Sequence, residues 1–286
     1  MARRLLNRTH PLHESRMNWG LLTQAERDAA YNNAEAVANS AALTQARNAA
    51  SHAWRQAHHQ HLDIAYGPRP RNRLDLFPAA DPSMPCLVFI HGGYWQRNSR
   101  EDFACLAEGL HAHGWSFAVP GYTLAPEASL TEIVNEIHAS LDWLAAHGDT
   151  RGIGGPLVVA GWSAGGHLTA MALSHPRVVA GLAISGVFEL GPLRDTYLNA
   201  KLKLTEDEVA ALSPLRLPPV QKPLAIAYGT RELPALIADS RDLHAMRAAA
   251  HAPGALVPVG GADHFTVLDA LREATGELAH HAKLLA

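Results

Sequence analysis

From Pro85 onward, short continuous apolar runs alternate with longer segments whose apolar residues recur every three or four positions. The runs are Cys86–Ile90, Ser116–Val119, Leu157–Ala160, Val179–Ile184, Leu224–Tyr228 and Ala255–Val259. Their length and lack of polar alternation predict strands buried on both faces. The intervening segments Asp102–His113, Leu130–His147, Ala164–Ser174, Leu233–Ala250 and Phe265–Leu271 predict helices. In the second of these, Ile133, Ile137, Leu141 and Leu144 share one helical face. Buried strands alternating with helices predict an α/β fold: a mostly parallel central sheet covered by helices on both faces. Ligands bind such sheets beyond the C-terminal ends of the strands.

Two regions depart from this pattern. Leu62–Tyr66 and Arg73–Phe77 alternate apolar and polar residues around Gly67-Pro68-Arg69-Pro70, which predicts an antiparallel hairpin. Upstream, residues 20–60 are rich in Ala, Gln and Asn and poor in large apolar residues. Two helices are predicted there, covering the domain rather than forming its core. The expected organisation is therefore an N-terminal helical lid segment over 1–61 and a catalytic domain over 62–286. Within the latter, residues 186–219 hold Pro192, Pro214, Pro218 and Pro219 and interrupt the alternation, so a cap insertion that roofs the site is expected.

Composition narrows the classes. The chain has 286 residues, 48% of them apolar, enough for one large α/β domain. A formal net charge of −3 leaves no basic footprint for nucleic acid. No apolar run approaches a membrane span, so no membrane partner is expected. The N-terminal Met1–Arg8 stretch is charged and lacks a signal-peptide apolar core, which makes the cytoplasm the expected location. Cys86 and Cys105 read as buried free thiols in that compartment. His58, His59 and His61 have no acidic or cysteine partner at ligand spacing, so they read as a solvated helix face; no metal and no cofactor is expected. Self-association into a homodimer is left open.

The chemistry concentrates at two glycine-rich segments, each directly after a predicted strand. Gly161-Trp162-Ser163-Ala164-Gly165 matches the G-x-S-x-G turn that lifts a serine above a sheet, which makes Ser163 the candidate nucleophile. His91-Gly92-Gly93-Tyr94-Trp95 supplies amides for an oxyanion hole from Gly93 and Tyr94, completed by Ala164. A serine hydroxyl needs a base. The order Ser, acid, His places that base late in the chain. His264, on the loop after the last predicted strand, fits better than His244, His251, His280 or His281. The acid should follow the penultimate strand. Glu232 is the first on that loop, while Asp239 and Asp242 lie a turn or two into the next helix. Tyr94, Trp95 and Trp162 flank both halves of the site. They either form an aromatic wall for a planar substrate or, for Trp95 and Trp162, pack in the core.

These segments, together with Gly121-Tyr-Thr-Leu-Ala-Pro-Glu127, resemble the α/β-hydrolases of the hormone-sensitive-lipase-like branch. Ile184-Ser-Gly-Val-Phe-Glu-Leu190, Ser213-Pro214 and Gly229-x-x-Glu232-Leu233-Pro234 are most similar to kynurenine formamidases (arylformamidases). The likeness runs from about Tyr66 to the C-terminus. It implies a Ser–acid–His triad at Ser163, Glu232 and His264 and the H-G-G-x-W oxyanion motif at His91–Trp95. Vertebrate relatives carry aspartate where this chain has Glu232. The resemblance implies cleavage of a small acyl group from an aromatic amide or ester, N-formyl-L-kynurenine among them, a step of tryptophan catabolism. An aryl or short-chain carboxylesterase is the alternative on the same residues; a non-catalytic binding protein on this fold is the alternative from another class.

Overall fold

The computed structural model describes residues 19–286; Met1–Arg8 and the opening of the 1–61 segment lie outside the described residues. The strands are β1 Ile64–Ala65, β2 Arg73–Phe77, β3 Cys86–Ile90, β4 Ser116–Pro120, β5 Leu157–Trp162, β6 Val178–Ile184, β7 Leu224–Gly229 and β8 Leu256–Val259. Among the described residues they form one eight-stranded sheet in the order β1-β2-β4-β3-β5-β6-β7-β8. β1 pairs antiparallel with β2, and β2 antiparallel with β4; every later pairing is parallel. The alternating Leu62–Phe77 stretch thus becomes the antiparallel edge, and the continuous apolar runs become the parallel centre, as their patterns require. The fold is that of an α/β-hydrolase.

Helices α1 Gln24–Ala29, α2 Asn33–Ala36 and α3 Ser40–Ala57 precede the sheet. α4 is Ala107–His111, α5 Leu130–His147, α6 Ala164–Ala172, α7 Asn199–Leu202, α8 Glu206–Leu212, α9 Pro234–Ala249, α10 Asp269–Arg272 and α11 Glu277–Lys283. Alternate residues of β3 feed two apolar layers. Val88 and Ile90 join the layer made with α5, α6, α9 and the 190–212 region; Leu87 and Phe89 join the layer made with residues 103–110, α10 and α11. The predicted Asp102–His113 helix begins instead as a 3-10 turn over Arg100–Leu106, capped by Ser99 and Asp102, before continuing as α4. Likewise Phe265–Leu271 divides into a 3-10 turn over Thr266–Leu268 and α10.

The N-terminal helices are more firmly seated than their composition implies. Ser51 on α3 is fully buried and its hydroxyl accepts the Cys105 amide at 3.2 Å. Arg55 Nε lies 2.8 Å from Asp75, whose side chain is fully buried on β2, and Arg100 Nε lies 3.2 Å from the same carboxylate. Without Arg55 the buried carboxylate would keep only Arg100, losing part of the compensation whose complete removal costs about 3–5 kcal/mol. α3 is therefore scaffold as well as cover. His58 stacks on Trp54 at 3.9 Å, so it shields an aromatic edge rather than pointing freely into solvent. Cys86 and Cys105 are both free and buried. No helix among the described residues is long and apolar enough to cross a membrane.

Candidate active site

Four strand ends deliver the chemistry to one edge of the sheet. Ser163 follows β5, the His91–Trp95 turn follows β3, Glu232 lies three residues beyond β7, and His264 five beyond β8. Ser163 has φ 59° and ψ −119°, a conformation disfavoured for a residue with a side chain and held by its surroundings. Its amide donates to the Ile184 carbonyl at 2.8 Å, and its carbonyl caps the first turn of α6 through Gly166 and His167. Gly165 is required by close approach: a Cβ there would run into the Ile90 carbonyl of the neighbouring strand.

The His91–Trp95 turn has φ values of 118° at Gly93, 50° at Tyr94 and 57° at Trp95. Three successive left-handed residues curl the backbone so that the Gly93 carbonyl turns away to accept the amides of Gln96 and Arg97, both at 3.0 Å. Asn98 Nδ2 pins the turn by donating to the Gly92 carbonyl at 3.1 Å. Among the described residues, no intramolecular acceptor takes the N–H groups of Gly93, Tyr94 or Ala164. Those amides remain available at the strand ends beside Ser163.

His264 and Glu232 are joined directly. The Nδ1–H of His264 donates to Glu232 Oε2 at 2.9 Å, with the carboxylate side chain fully buried and the imidazole 4% exposed. Glu232 Oε1 accepts from the Ser185 hydroxyl at 2.5 Å and from the Gly229 amide at 2.6 Å. Three donors thus hold one carboxylate and, through it, one ring orientation. Of the other two acid candidates, both on α9, Asp239 is engaged elsewhere: its Oδ2 accepts the amides of Phe188 and Glu189 at 2.6 and 3.1 Å, shaping the loop after β6.

Trp162 braces the imidazole from the side. Its indole Nε1 donates to the His264 carbonyl at 2.7 Å, and its ring centroid lies 4.7 Å from that of His264. Trp162 and Tyr94 both border the cavity, but Trp95 does not: it is completely buried, edge-on to His167 at 5.0 Å, which corrects the expectation that it contacts substrate. The strained turn sends Tyr94 toward the cavity and the following ring into the core. The Tyr94 hydroxyl is itself occupied, donating to the Tyr31 carbonyl at 2.7 Å and accepting from Asn33 Nδ2 at 3.0 Å.

Ser163 and His264 open onto a cavity of about 530 Å³. Its far wall is the α2–α3 region, with Asn33, Thr44, Arg47 and Asn48 among the lining residues. The 186–219 insertion supplies none of that lining. It buttresses the N-terminal wall from behind, where Trp19 Nε1 donates to Asp195 at 3.0 Å and the Tyr197 amide to Asp28 at 2.7 Å. The expected roof is thus replaced by residues 32–48. Sequence reasoning missed Ser185, Trp162 as a brace, and the α3 side chains. Ser185 carries a usable signal, since it directly follows β6; α3 carries none, because its residues enter the site only through tertiary packing.

Fold and site together define an α/β-hydrolase-fold serine hydrolase. The BD-FAE family model matches residues 74–177. Kynurenine formamidases of Danio rerio and Salmo salar are 27% and 29% identical, each match covering 73% of this chain and 76% of the relative. A crystal structure described as a thioesterase, from Silicibacter sp. TM1040, superposes with a TM-score of 0.80 at 29% identity, covering 90% of this chain and 99% of the other. Esterase B of Lactobacillus rhamnosis superposes at TM-score 0.68 over 91% and 93% of the two chains, and at 20% identity it supports the fold alone. The chain is a serine hydrolase similar to kynurenine formamidases.

Proposed function

We propose that Ser163, Glu232 and His264 form a catalytic triad that hydrolyses a small acyl group from an aromatic amine or alcohol, N-formyl-L-kynurenine being the substrate suggested by the kynurenine formamidases. The observation that carries this reading is the 2.9 Å His264–Glu232 hydrogen bond beside an elbow serine on the same cavity. With Nδ1–H given to Glu232, the other ring nitrogen, Nε2, is left to take the Ser163 proton as Oγ attacks the acyl carbon. The developing oxyanion is received by the amides of Gly93, Tyr94 and Ala164. His264 then protonates the leaving nitrogen or oxygen. Water, activated by the same imidazole, releases the acyl group, formate in the formamidase case. The residues 19–57 act as the wall that sets substrate choice, and two buried free thiols fit a cytoplasmic setting.

An aryl or short-chain carboxylesterase is the second reading, favoured by the 34% identity of 38% of this chain to an esterase of Mycobacterium tuberculosis. The test is kcat/KM for N-formylkynurenine, p-nitrophenyl acetate and p-nitrophenyl octanoate side by side. Formamide cleavage with acetate preferred over octanoate is expected. A clear preference for octanoate removes the small-acyl claim, and acetate turnover without formamide cleavage moves the chain to the second reading.

A further inference from the structure

The cavity is electrically one-sided. Arg47 and Arg97 line it, amide side chains such as Asn33, Asn48 and Asn98 make up much of the rest, and among the described residues no aspartate or glutamate lines it. Arg97 is exposed at the rim, whereas Arg47 is half-buried against the site. The Arg47 guanidinium lies 4.1 Å from the centroid of Phe103 and 5.7 Å from that of Trp162. Its Nε donates to the Asp102 carbonyl at 3.1 Å and its Nη2 to Asn48 Oδ1 at 3.3 Å. Both acceptors are neutral. The nearby Asp102 carboxylate is committed to the Ser99 amide and hydroxyl at 2.9 and 3.1 Å, where it caps the 3-10 turn. Among the described residues Arg47 makes no salt bridge and its Nη1 has no hydrogen-bond partner.

A guanidinium pressed onto two aromatic rings has lost much of its water. Burial draws its pKa below the usual arginine value. Cation–π contact offsets part of that cost, but a carboxylate would offset more, through charge-assisted hydrogen bonds. The placement also fits a substrate. The Trp162 ring neighbours both the His264 imidazole, 4.7 Å away, and the Arg47 guanidinium, 5.7 Å away. An aromatic leaving group stacked near Trp162 would present its acyl end to Ser163 and a ring substituent to Arg47.

We propose that Arg47 is a specificity-determining anion anchor, and that the enzyme prefers acyl esters or amides whose aromatic leaving group carries a carboxylate. The inference rests on Ser163 being the nucleophile. A leaving group whose sole charge is cationic would meet two arginines and, among the described residues, no side-chain carboxylate, so it is disfavoured relative to one that carries a carboxylate, whether anionic or zwitterionic.

The probes are 4-acetoxybenzoate and the neutral phenyl acetate, used with the full chain. Arg47→Met is expected to lower kcat/KM for 4-acetoxybenzoate ten- to a hundredfold more than it lowers kcat/KM for phenyl acetate, with Arg47→Lys between. Comparing the wild-type and variant ratios cancels the intrinsic reactivity of the two esters. A measurement on the wild type alone guards against a variant that fails to fold: benzoate should inhibit competitively at least tenfold better than benzamide, and the advantage should shrink with added salt. Equal losses on both esters, or equal inhibition by benzoate and benzamide, overturn the anchor while Ser163 labelling by a fluorophosphonate leaves the nucleophile intact. Absence of turnover on both esters together with no labelling overturns both.

Discussion

Replacing Glu232 by glutamine asks whether this carboxylate orients the base. The side chain is fully buried and receives three donors: His264 Nδ1 at 2.9 Å, Ser185 Oγ at 2.5 Å and Gly229 N at 2.6 Å. Glutamine preserves the shape but removes the charge that stabilises the imidazolium. It also presents an NH₂ group that must face one of those three donors. Comparable loss of the acid in a Ser–His–Asp triad costs about 10⁴ in kcat, chiefly through the wrong imidazole tautomer. We expect a loss of about 10³–10⁴ in kcat for Glu232→Gln. The matched control is Asp239→Asn, which touches two amides of the 186–190 loop and not His264. Its charge loss should cost about 1 kcal/mol of stability, and its kcat should stay within tenfold of wild type. The assay is kcat on p-nitrophenyl acetate with urea unfolding of the same preparations. A larger kcat loss for Asp239→Asn than for Glu232→Gln, in folded protein, refutes the assignment of the acid.

Three further outcomes follow from the packing. His91 and His167 are completely buried, and burial pulls their pKa values from 6.5 down to about 3 and about 4, against a partly opposing backbone hydrogen bond in each. The unfolded chain therefore takes up two protons near pH 6.5 that the folded chain refuses, so stability is full above that pH and falls below it, by roughly 3 kcal/mol per histidine at pH 4; a Tm unchanged between pH 7.5 and 4.5 contradicts this. Trp162→Phe keeps a ring against His264 but deletes the indole bond to its carbonyl, so kcat should fall about tenfold with one hydrogen bond lost; wild-type kcat would show that the brace is idle. Deleting residues 1–38 should leave a folded chain with altered KM, whereas deleting 1–57 should unfold it because Arg55 and Ser51 leave with α3; equal stability of the two truncations, followed by thermal melting, would reverse that expectation.

The parallel sheet was legible because each of its strands is a continuous apolar run, and the hairpin because Leu62–Phe77 alternates. The placement of Ser163, His264 and Glu232 was legible from chain order and loop position, since an α/β sheet brings the C-terminal ends of its strands to one edge. Trp95 was not. Its neighbour Tyr94 shares the same motif, and only the three left-handed residues decide which ring faces the cavity. Ala- and Gln-rich composition also misdescribed α3, which is attached by polar contacts such as Arg55 to Asp75 together with Ala50 and Trp54 packed on the core. Arg47 is invisible for the same reason: a helical arginine becomes part of a site only when the turn carrying Phe103 is folded beneath it. The proline-rich 186–219 stretch announced an insertion, but its contact with the N-terminal wall depends on long-range hydrogen bonds that no local pattern encodes.

The central claim is that Ser163 is the nucleophile, activated through His264. The direct measurement is intact-mass analysis and peptide mapping after treatment with a fluorophosphonate, on the wild type, Ser163→Ala and His264→Ala. One adduct per chain, mapped to Ser163, is expected in the wild type. No adduct should form on folded Ser163→Ala, and formation on His264→Ala should be slowed by at least a hundredfold. An adduct at another residue, or labelling at Ser163 that proceeds at the wild-type rate without His264, would contradict it.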